Sequence, residues 1–435
     1  MLNRQQLARK QSVIVAAAPL TQNQTIPFCS SVSAYDRTPQ SNSGRTLSWV
    51  TLIVAVVLAP VVIATAFFAL ELAFGLTPLS SVSGPVEEAK ATILIPAHDE
   101  EAVIGRTVSE LMREAGDEFR ILVIADNCSD DTARVARSAG AELMVRNDAE
   151  RRGKGFALAA GRDYLSRDPP QVVIIVDADC RIDGASLRAL AAGGSSGRAC
   201  QAINLLVPDL AADAMVQIST FAFVIKNLIR QRGLQRLVGR ANLTGTGMAL
   251  PWTIFTNADL GGSNIVEDLA LGLDLAERGS PPLLVERATV WSPSASAAGT
   301  LVQRRRWEGG FLATAGRIVP KALRRGLMRL DVREIFSALD LCIPPLALLF
   351  VLNAAASLIG GVGVALGAAA WPLLAQVAGG LIAFALLVLV WSREGRRFAS
   401  GSTLMRLPLY VFWKIPMYLG LVRNGVPKEW LRTGR

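Results

Sequence analysis

Two aspartates, in the tripeptide Asp177-Ala178-Asp179, end the apolar segment 172–176 and have a spacing that suits a cation. In an extended chain, residues i and i+2 point to the same side, so both carboxylates face one way. Carboxylates at the open end of a sheet can hold a divalent cation, which can neutralise a diphosphate. The same triplet is common as a simple turn that ends a strand, so its meaning depends on the residues that accompany it.

Two further polar groups follow these aspartates along the chain. Glu267-Asp268 comes after the glycine-containing segment 261–266 and before a stretch whose apolar residues share one helical face. Acids at a helix start often only complement the helix dipole, but a positioned carboxylate can also take the proton of an attacking hydroxyl. The segment 303–307 then combines a glutamine, three arginines and a tryptophan. A basic helix at a membrane surface would explain Arg304 and Arg305, but not the order of the other residues.

The elements that must position these residues alternate between strand and helix. The strand-like segments 91–96 and 120–125 are each followed by a polar loop and a helix-patterned stretch. This order predicts an α/β fold with a mostly parallel sheet and helices on both faces. Ligands of such sheets bind at the carboxyl ends of the strands. A dinucleotide fold requires Gly-x-Gly-x-x-Gly after the first strand, and 96–101 contains no glycine, which excludes an oxidoreductase of that kind.

The set of motifs across about 91–310 resembles the membrane-embedded family-two glycosyltransferases, which include cellulose, chitin and hyaluronan synthases. Gln303-Arg304-Arg305-Arg306-Trp307 matches the family's Gln-x-x-Arg-Trp at every fixed position, and Asp177-Ala178-Asp179 matches its Asp-x-Asp. The first-strand loop departs from the family's Pro-x-x-Asn-Glu only at Asp99. The resemblance implies a GT-A-type nucleotide-sugar-binding domain.

The resemblance also implies roles for individual residues. We expect the nucleotide-sugar donor to bind at Pro96, Glu100, Asp126, Lys154, Asp177 and Arg306. We expect the acceptor to bind at Gly245, Thr246, Gly247, Gln303 and Trp307. Asp179 and Asp177 are expected to bind Mg²⁺ or Mn²⁺, and Asp268 to act as general base. A solvated basic loop around Lys154 and an ordinary tight turn around Gly245 remain alternatives.

Long apolar segments predict that the chain is anchored in a membrane. A helix of about 20 apolar residues spans the hydrocarbon core, and three segments reach that length. We expect a disordered polar tail at 1–46, transmembrane helices at 47–76, 338–359 and 362–391, a cytoplasmic catalytic domain at 86–310, basic interfacial helices at 311–335, and an interfacial or re-entrant helix at 404–421.

The net charge of +9 does not indicate a nucleic-acid protein, because many of the cations crowd just before the apolar segment 338–359. Cations in that place meet anionic lipid on the cytoplasmic face. An uncharged hairpin at Gly360-Gly361 is expected outside and Arg396 inside, which puts the catalytic domain in the cytoplasm of a bacterial inner membrane. The five cysteines lack metal-like spacing and fit a reducing compartment. We assign no catalytic role to His98 and expect Glu286 at the solvated surface.

These expectations combine into one function with two alternatives. We expect an inverting, metal-dependent enzyme that moves a sugar, most simply from a UDP-sugar, to a lipid-linked or growing glycan in exopolysaccharide or cell-surface polysaccharide synthesis. Its expected partners are the bilayer, the nucleotide sugar, the acceptor and polysaccharide export proteins. The alternatives are a processive polysaccharide synthase and a non-catalytic membrane scaffold. Three spans favour the addition of one or a few sugars, because a translocation channel typically needs more helices.

Overall fold

The structure is a computed structural model that describes residues 48–80, 90–260, 267–294 and 297–425. The expected disordered tail, 1–46, and the glycine-containing segment 261–266 lie outside the described residues. The described strands are β1 (Ala91–Ala97), β2 (Phe119–Asp126), β3 (Glu142–Arg146), β4 (Val172–Ile175), β5 (Arg181–Ile182), β6 (Cys200–Leu206), β7 (Met248–Pro251) and β8 (Leu283–Ser292).

Fifteen α-helices occur in the described part of the chain, and a π-helical turn at Ile225–Ile229 joins two of them. They are α1 (Trp49–Gly75), α2 (Ile104–Ala115), α3 (Thr132–Ser138), α4 (Lys154–Leu165), α5 (Gly184–Ser195), α6 (Ala214–Val224), α7 (Arg230–Val238), α8 (Trp252–Asn257), α9 (Glu267–Glu277), α10 (Ala297–Arg329), α11 (Val332–Cys342), α12 (Leu346–Ala365), α13 (Trp371–Val390), α14 (Gly401–Leu404) and α15 (Leu407–Asn424).

One eight-stranded sheet, ordered β3-β2-β1-β4-β7-β6-β8-β5, forms the centre of the domain that was expected to be catalytic. The expected α/β fold is confirmed. The strands β3, β2, β1 and β4 are mutually parallel, while β7 runs antiparallel to both β4 and β6, so the sheet is mixed. Because β7 is reversed, its amino end lies beside the carboxyl end of β4, where Met248 pairs with Ile175. The loop before β7 therefore reaches the same sheet edge as the polar segment after β4.

Alternating residues of the central strands pack into two apolar layers, one on each face of the sheet. Ile93 and Ile95 of β1 belong to the layer covered by α2 and α5. Leu94, between them, belongs to the opposite layer, which includes Leu158 of α4 and Leu275 of α9. Both faces are thus buried, which explains why these strands are continuous apolar runs instead of alternating ones.

Three helices are long and apolar enough to cross a membrane: Trp49–Gly75, Leu346–Ala365 and Trp371–Gly395. The first matches the expected segment at 47–76. The second differs from the expected helix at 338–359, because α11 ends at Cys342 and α12 begins only after Pro345. Prolines cannot donate the backbone hydrogen bonds that would join the two helices, and they disfavour helical geometry in the preceding residue.

The turn between α12 and α13 lies at 366–370 and not at Gly360-Gly361, as the sequence suggested. Gly360 lies inside α12, where the absence of a side chain lets neighbouring helices pack closely. A Cβ added there would lie 3.0 Å from Leu373 Cδ1, and one added at Gly363 would lie 2.5 Å from Val54 Cγ2. Small residues let apolar helices approach closely in a membrane. This correction also moves the expected helix at 362–391 to begin at Trp371.

The acids within the apolar segments are buried and paired. Glu71 of α1 is 0% exposed and accepts a hydrogen bond from Arg230 Nε at 2.6 Å. Arg230 also donates to Asp340 Oδ1 of α11 at 2.7 Å. The pairing joins α1 to the helices beside the sheet. Glu286 was expected at the solvated surface. It is instead half-buried and forms an ion pair with the buried Arg232 at 2.5 Å.

No boundary separates the expected catalytic domain from the expected basic helices at 311–335. The helix α10 runs from Ala297 to Arg329 with Pro320 inside it, so the Gln-x-x-Arg-Trp segment and the basic residues after it share one continuous helix. The expected interfacial segment at 404–421 corresponds to α14 and α15, and α15 packs against α10 and α12.

Candidate active site

The Asp-x-Asp segment follows β4 and is held by two other elements. Lys154, at the start of α4, forms an ion pair with Asp177 and donates to the Gly245 carbonyl at 2.7 Å. The backbone N–H of Asp177 donates to Thr246 Oγ1 at 3.1 Å. Asp177 and Asp179 are both half-buried. The structure therefore brings together the basic helix start, the paired aspartates and the loop before β7.

Gly245 allows the candidate base to approach this cluster. Its φ of 85° lies in the left-handed region, which favours glycine. A Cβ added there would lie 3.2 Å from Asp268 Oδ2 and 3.5 Å from Lys154 Nζ. A side chain at this position would crowd the Asp268 carboxylate and would have to adopt the left-handed backbone, so the turn has a specific reason to contain glycine.

Asp268 lies in the first turn of α9, half-buried, where its Oδ1 accepts the backbone N–H of Leu269 at 2.8 Å. Burial raises the pKa of its carboxyl above the ordinary aspartate value, while that hydrogen bond and the ammonium groups of Lys154 and Lys226 oppose the rise. A base is most effective when its pKa approaches the working pH. The surroundings of Asp268 shift its pKa in that direction.

At the end of β2, Asp126 was expected to contact the donor, but its side chain is buried. Asp126 is only 5% exposed, and its Oδ1 accepts hydrogen bonds from Arg146 Nη1 at 2.5 Å and Asn127 Nδ2 at 3.0 Å. Its carboxylate is thus engaged within the fold. Arg146, at the end of β3, was not selected from the sequence, although a cation at the end of a strand next to an acidic loop is a usable signal.

Pro96 lies near the carboxyl end of β1, and Glu100 lies in the loop that follows this strand. Asp99, where the family commonly has asparagine, adopts a φ of 52° and accepts the backbone N–H of Ser129 at 2.6 Å. The Glu100 N–H donates to Thr132 Oγ1 at 2.7 Å. These bonds tie the loops after β1 and β2 together. Aspartate, in place of the family's common asparagine, therefore still supplies an oxygen that accepts a hydrogen bond between the two loops.

The Gln-x-x-Arg-Trp segment packs onto α6 instead of facing a membrane surface. Gln303 and Arg304 are 9% and 7% exposed. Arg304 donates to Ser219 Oγ at 2.9 Å, and its guanidinium lies 5.5 Å from the Trp307 ring centre. Trp307 in turn lies 5.8 Å from the ring centre of Phe223. Arg304 is therefore buried in the protein, and its interpretation as a cation that faces lipid is wrong. Arg306 and Trp307 are half-buried.

Lys226 is the second residue that the sequence reasoning missed. It is the only charged residue between Asp213 and Arg230, in an otherwise uncharged helical stretch. Its ammonium lies 5.7 Å from the ring centre of Phe311 of α10 and acts on the carboxyl of Asp268. A lone cation in an apolar helix is a signal that could have found it.

Asp177 and Asp179 form a donor set that fits Mg²⁺ or Mn²⁺. Two carboxylates are what a protein usually offers these ions, with phosphate oxygens and water completing the shell. A separate group, His98, Asp99 and Cys128, has its potential ligand atoms within 4.8 Å of one another. In that group Asp99 already binds Ser129, and His98 Nδ1 lies 2.7 Å from the Asp126 carbonyl.

Comparisons with known proteins identify the family. The model of the family described as glycosyltransferase-like family 2 matches residues 89–310. A mannosyltransferase from Pyrobaculum calidifontis, solved with GDP-Man and Mn²⁺, is 15% identical, with 86% of this chain and 99% of that chain covered and a TM-score of 0.51. That likeness supports a common fold.

A glucosyl-3-phosphoglycerate synthase from Mycobacterium tuberculosis, solved with Mn²⁺, UDP and phosphoglyceric acid, is 18% identical. It covers 45% of this chain and 69% of its own, at a TM-score of 0.32. No curated protein matches the sequence. Since the family model spans half of the chain and the sheet has the fold expected for it, the chain belongs to the glycosyltransferase-like family 2.

Proposed function

We propose that this protein is an inverting, metal-dependent glycosyltransferase that moves a sugar from a nucleotide sugar to a lipid-linked or growing glycan. The observation that carries the proposal is the convergence of Lys154, Asp177, Gly245 and Asp268 at one edge of the sheet. These residues come from four separate segments of the chain. Their meeting at the carboxyl end of β4 is the arrangement that a nucleotide-sugar site requires.

The donor side of the site is assigned to the residues around β4. Lys154 begins α4, and backbone N–H groups at a helix start together with an ammonium favour a phosphate group. Asp179 and Asp177 would hold Mg²⁺ or Mn²⁺, which supplies positive charge to the departing diphosphate. Arg306 would add a guanidinium fork. Pro96, Glu100 and Asp126 shape the loops that would surround the nucleotide, with Asp126 acting through its backbone and through Arg146.

The acceptor side is assigned to the loop before β7 and to α10. Gly245, Thr246 and Gly247 would approach the acceptor sugar closely, and Gln303 and Trp307 would line its entrance. Asp268 would take the proton of the attacking hydroxyl as the glycosidic bond forms on the face opposite the departing diphosphate. Direct transfer with one carboxylate acting as base is the route that inverts the anomeric centre.

The cellular role is a further part of the proposal. The three candidate spans support attachment to a membrane. We place the catalytic domain in the cytoplasm of a bacterial inner membrane, where nucleotide sugars are available. There it would add one or a few sugars during exopolysaccharide or cell-surface polysaccharide assembly, with export proteins downstream.

Donor binding tests this proposal directly. The full-length protein, purified in an uncharged detergent, should bind UDP- or GDP-sugars in the presence of Mn²⁺ or Mg²⁺, and a chelator should weaken this binding. Asp179→Asn should lose the metal-dependent part while the protein remains folded. Asp163→Asn, an exposed aspartate on α4, serves as the control. Equal, metal-independent binding by all three proteins, or no binding by the wild type, would overturn the assignment.

A further inference from the structure

Lys226 differs from its neighbours in the turn that joins α6 to α7. Ile225, Asn227, Leu228 and Ile229 are buried, whereas the Lys226 side chain is exposed. The turn is π-helical, and such turns are frequent at functional sites. At the same time, the surrounding protein desolvates the ammonium enough to lower the pKa of Lys226. The side chain is thus open to solvent, while its ammonium also has protein groups close by.

The neighbours of Lys226 include residues of α10 and the candidate base. Arg304, Glu308 and Phe311 share one face of α10, because they are separated by four and three positions. Phe311 lies under the Lys226 ammonium, and Arg304, Glu308 and Asp268 all act on it electrostatically. Lys226 therefore lies near both Asp268 and the Gln-x-x-Arg-Trp helix, where the acceptor is proposed to bind.

Most charged groups around Lys226 already have partners. Glu308 accepts hydrogen bonds from Lys414 and from Tyr418. Arg230 is paired with Glu71 and Asp340.

Among the described residues, however, the Lys226 ammonium makes no hydrogen bond or ion pair, and its one close contact is the ring of Phe311. Arg304, its cationic neighbour, is bonded to Ser219 and not to a carboxylate. Two neighbouring cations, neither of which forms an ion pair among the described residues, favour the binding of an anion.

The turn that carries Lys226 also touches a candidate membrane span. Ile225, Leu228 and Ile229 pack in the same apolar cluster as Phe68 and Leu72 of α1. An anion at Lys226 would thus lie between the proposed base and the membrane-facing part of the molecule. A sugar that carries phosphate on its anomeric carbon has hydroxyls on the other side of its ring. Such a sugar can direct a hydroxyl to Asp268 and its phosphate to Lys226.

We propose that Lys226 binds the anomeric phosphate of the acceptor, so that the acceptor is a lipid-linked sugar phosphate and not a neutral glycan. This inference rests on the proposed function and specifies its acceptor class. Lys226 touches the acceptor's phosphate and takes no part in binding the donor. The phosphate that Lys226 selects belongs to the group that anchors the acceptor sugar to its lipid.

Binding of dodecyl phosphate, presented in uncharged maltoside micelles, tests the inference without requiring turnover. The wild type should bind this probe. Lys226→Met should bind it about ten-fold more weakly, because a charge-assisted hydrogen bond is lost, while Lys226→Arg should stay close to the wild type. Lys321→Met removes an exposed lysine from α10 and controls for general attraction to basic residues. Thermal unfolding of each variant verifies that it is folded.

Nucleotide-sugar binding by the same proteins identifies the source of the phosphate. The inference predicts that Lys226→Met keeps its affinity for the nucleotide sugar. A parallel loss of that affinity would assign Lys226 to the donor diphosphate and overturn the inference. Dodecyl phosphate binding that is unchanged in Lys226→Met, or equally weakened in Lys321→Met, would also overturn it. A wild type that binds dodecyl phosphate but no nucleotide sugar would instead contradict the proposed function.

Discussion

Asp268 is the residue on which the proposed chemistry depends most. Its carboxylate oxygen approaches the backbone of Gly245, beside the ammonium that holds Asp177. The carboxylate is therefore close to the proposed donor site, as its proposed role as base requires. It is also distinct from the two aspartates that would bind the metal, so the two roles can be separated by mutation.

Asp268→Asn should bind the nucleotide sugar almost normally but transfer its sugar about 10²- to 10⁴-fold more slowly. Asparagine keeps the size of the side chain and can still accept from the Leu269 N–H, but it cannot take a proton. Donor affinity and turnover measured on the same preparation distinguish the roles. A loss of affinity in step with rate would move Asp268 to the donor or metal site. Full activity would instead point to Glu267 or Asp259 as base.

Individual residues were easiest to place from the sequence where the backbone itself requires a residue type, as a positive φ requires glycine. The sequence placed Asp177 after a strand and Gly245 in a glycine-containing turn, but it did not show that a reversed β7 would bring the two together. It could not show that Arg146 engages Asp126, because that pair depends on the register between β2 and β3. The burial of Arg304 against Ser219 depends in the same way on how α10 crosses α6.

At the scale of elements, α15 is connected to α10 by a buried polar contact. Lys414 of α15 is 2% exposed and forms an ion pair with Glu308, which follows Trp307 in the sequence. Tyr418, one helical turn further on, donates to the same carboxylate at 2.8 Å. The expected interfacial helix is thus fastened directly to the helix that carries the acceptor motif.

Breaking only half of this ion pair should be more harmful than removing both charges. Lys414→Met or Glu308→Gln should each lower the free energy of unfolding by about 3–5 kcal/mol, because each leaves a buried charge without its partner. The double variant should be less destabilised than the sum of the two singles. Unfolding in mild detergent measures the cycle. Additive effects would show that the two residues stabilise the protein independently.

The apolar helices illustrate why the boundaries of elements are harder to predict than their existence. Hydropathy identified three spans, but it could not show whether Gly360 forms a turn or lies inside a helix at a packing contact. That distinction depends on the approach of Leu373, which only the packed structure contains. Likewise, Pro344-Pro345 lies inside an apolar run whose composition hides the break between α11 and α12.

At the scale of the whole molecule, the candidate span α1 shares buried charges with the helices beside the sheet. Glu71 in α1 and Asp340 in α11 are both bound by Arg230, at the start of α7. Gly233 of α7 lies so close to α1 that an added Cβ would be 2.2 Å from the Glu71 carbonyl oxygen. The described structure therefore fixes α1 directly against the helices that border the sheet.

The proposed orientation predicts which loops can be labelled from outside the cell. Leu366, exposed in the uncharged turn after α12, should react as a single cysteine with an impermeant maleimide, whereas Arg396→Cys should not react. The reason is that arginine-rich segments remain on the cytoplasmic side. The five native cysteines are replaced beforehand. Labelling with the reverse pattern would place the sheet domain outside, away from nucleotide sugars.

Transfer of labelled sugar to lipid tests the central claim most directly. Purified wild-type protein is incubated with labelled nucleotide sugars, Mn²⁺ and a lipid extract from cells that produce the protein, and the organic phase is then separated. We predict that the label appears in a lipid-soluble product extended by one or a few sugars, and that Asp179→Asn is inactive. Label only in free sugar, label in a long polymer, or equal incorporation by Asp179→Asn would contradict it.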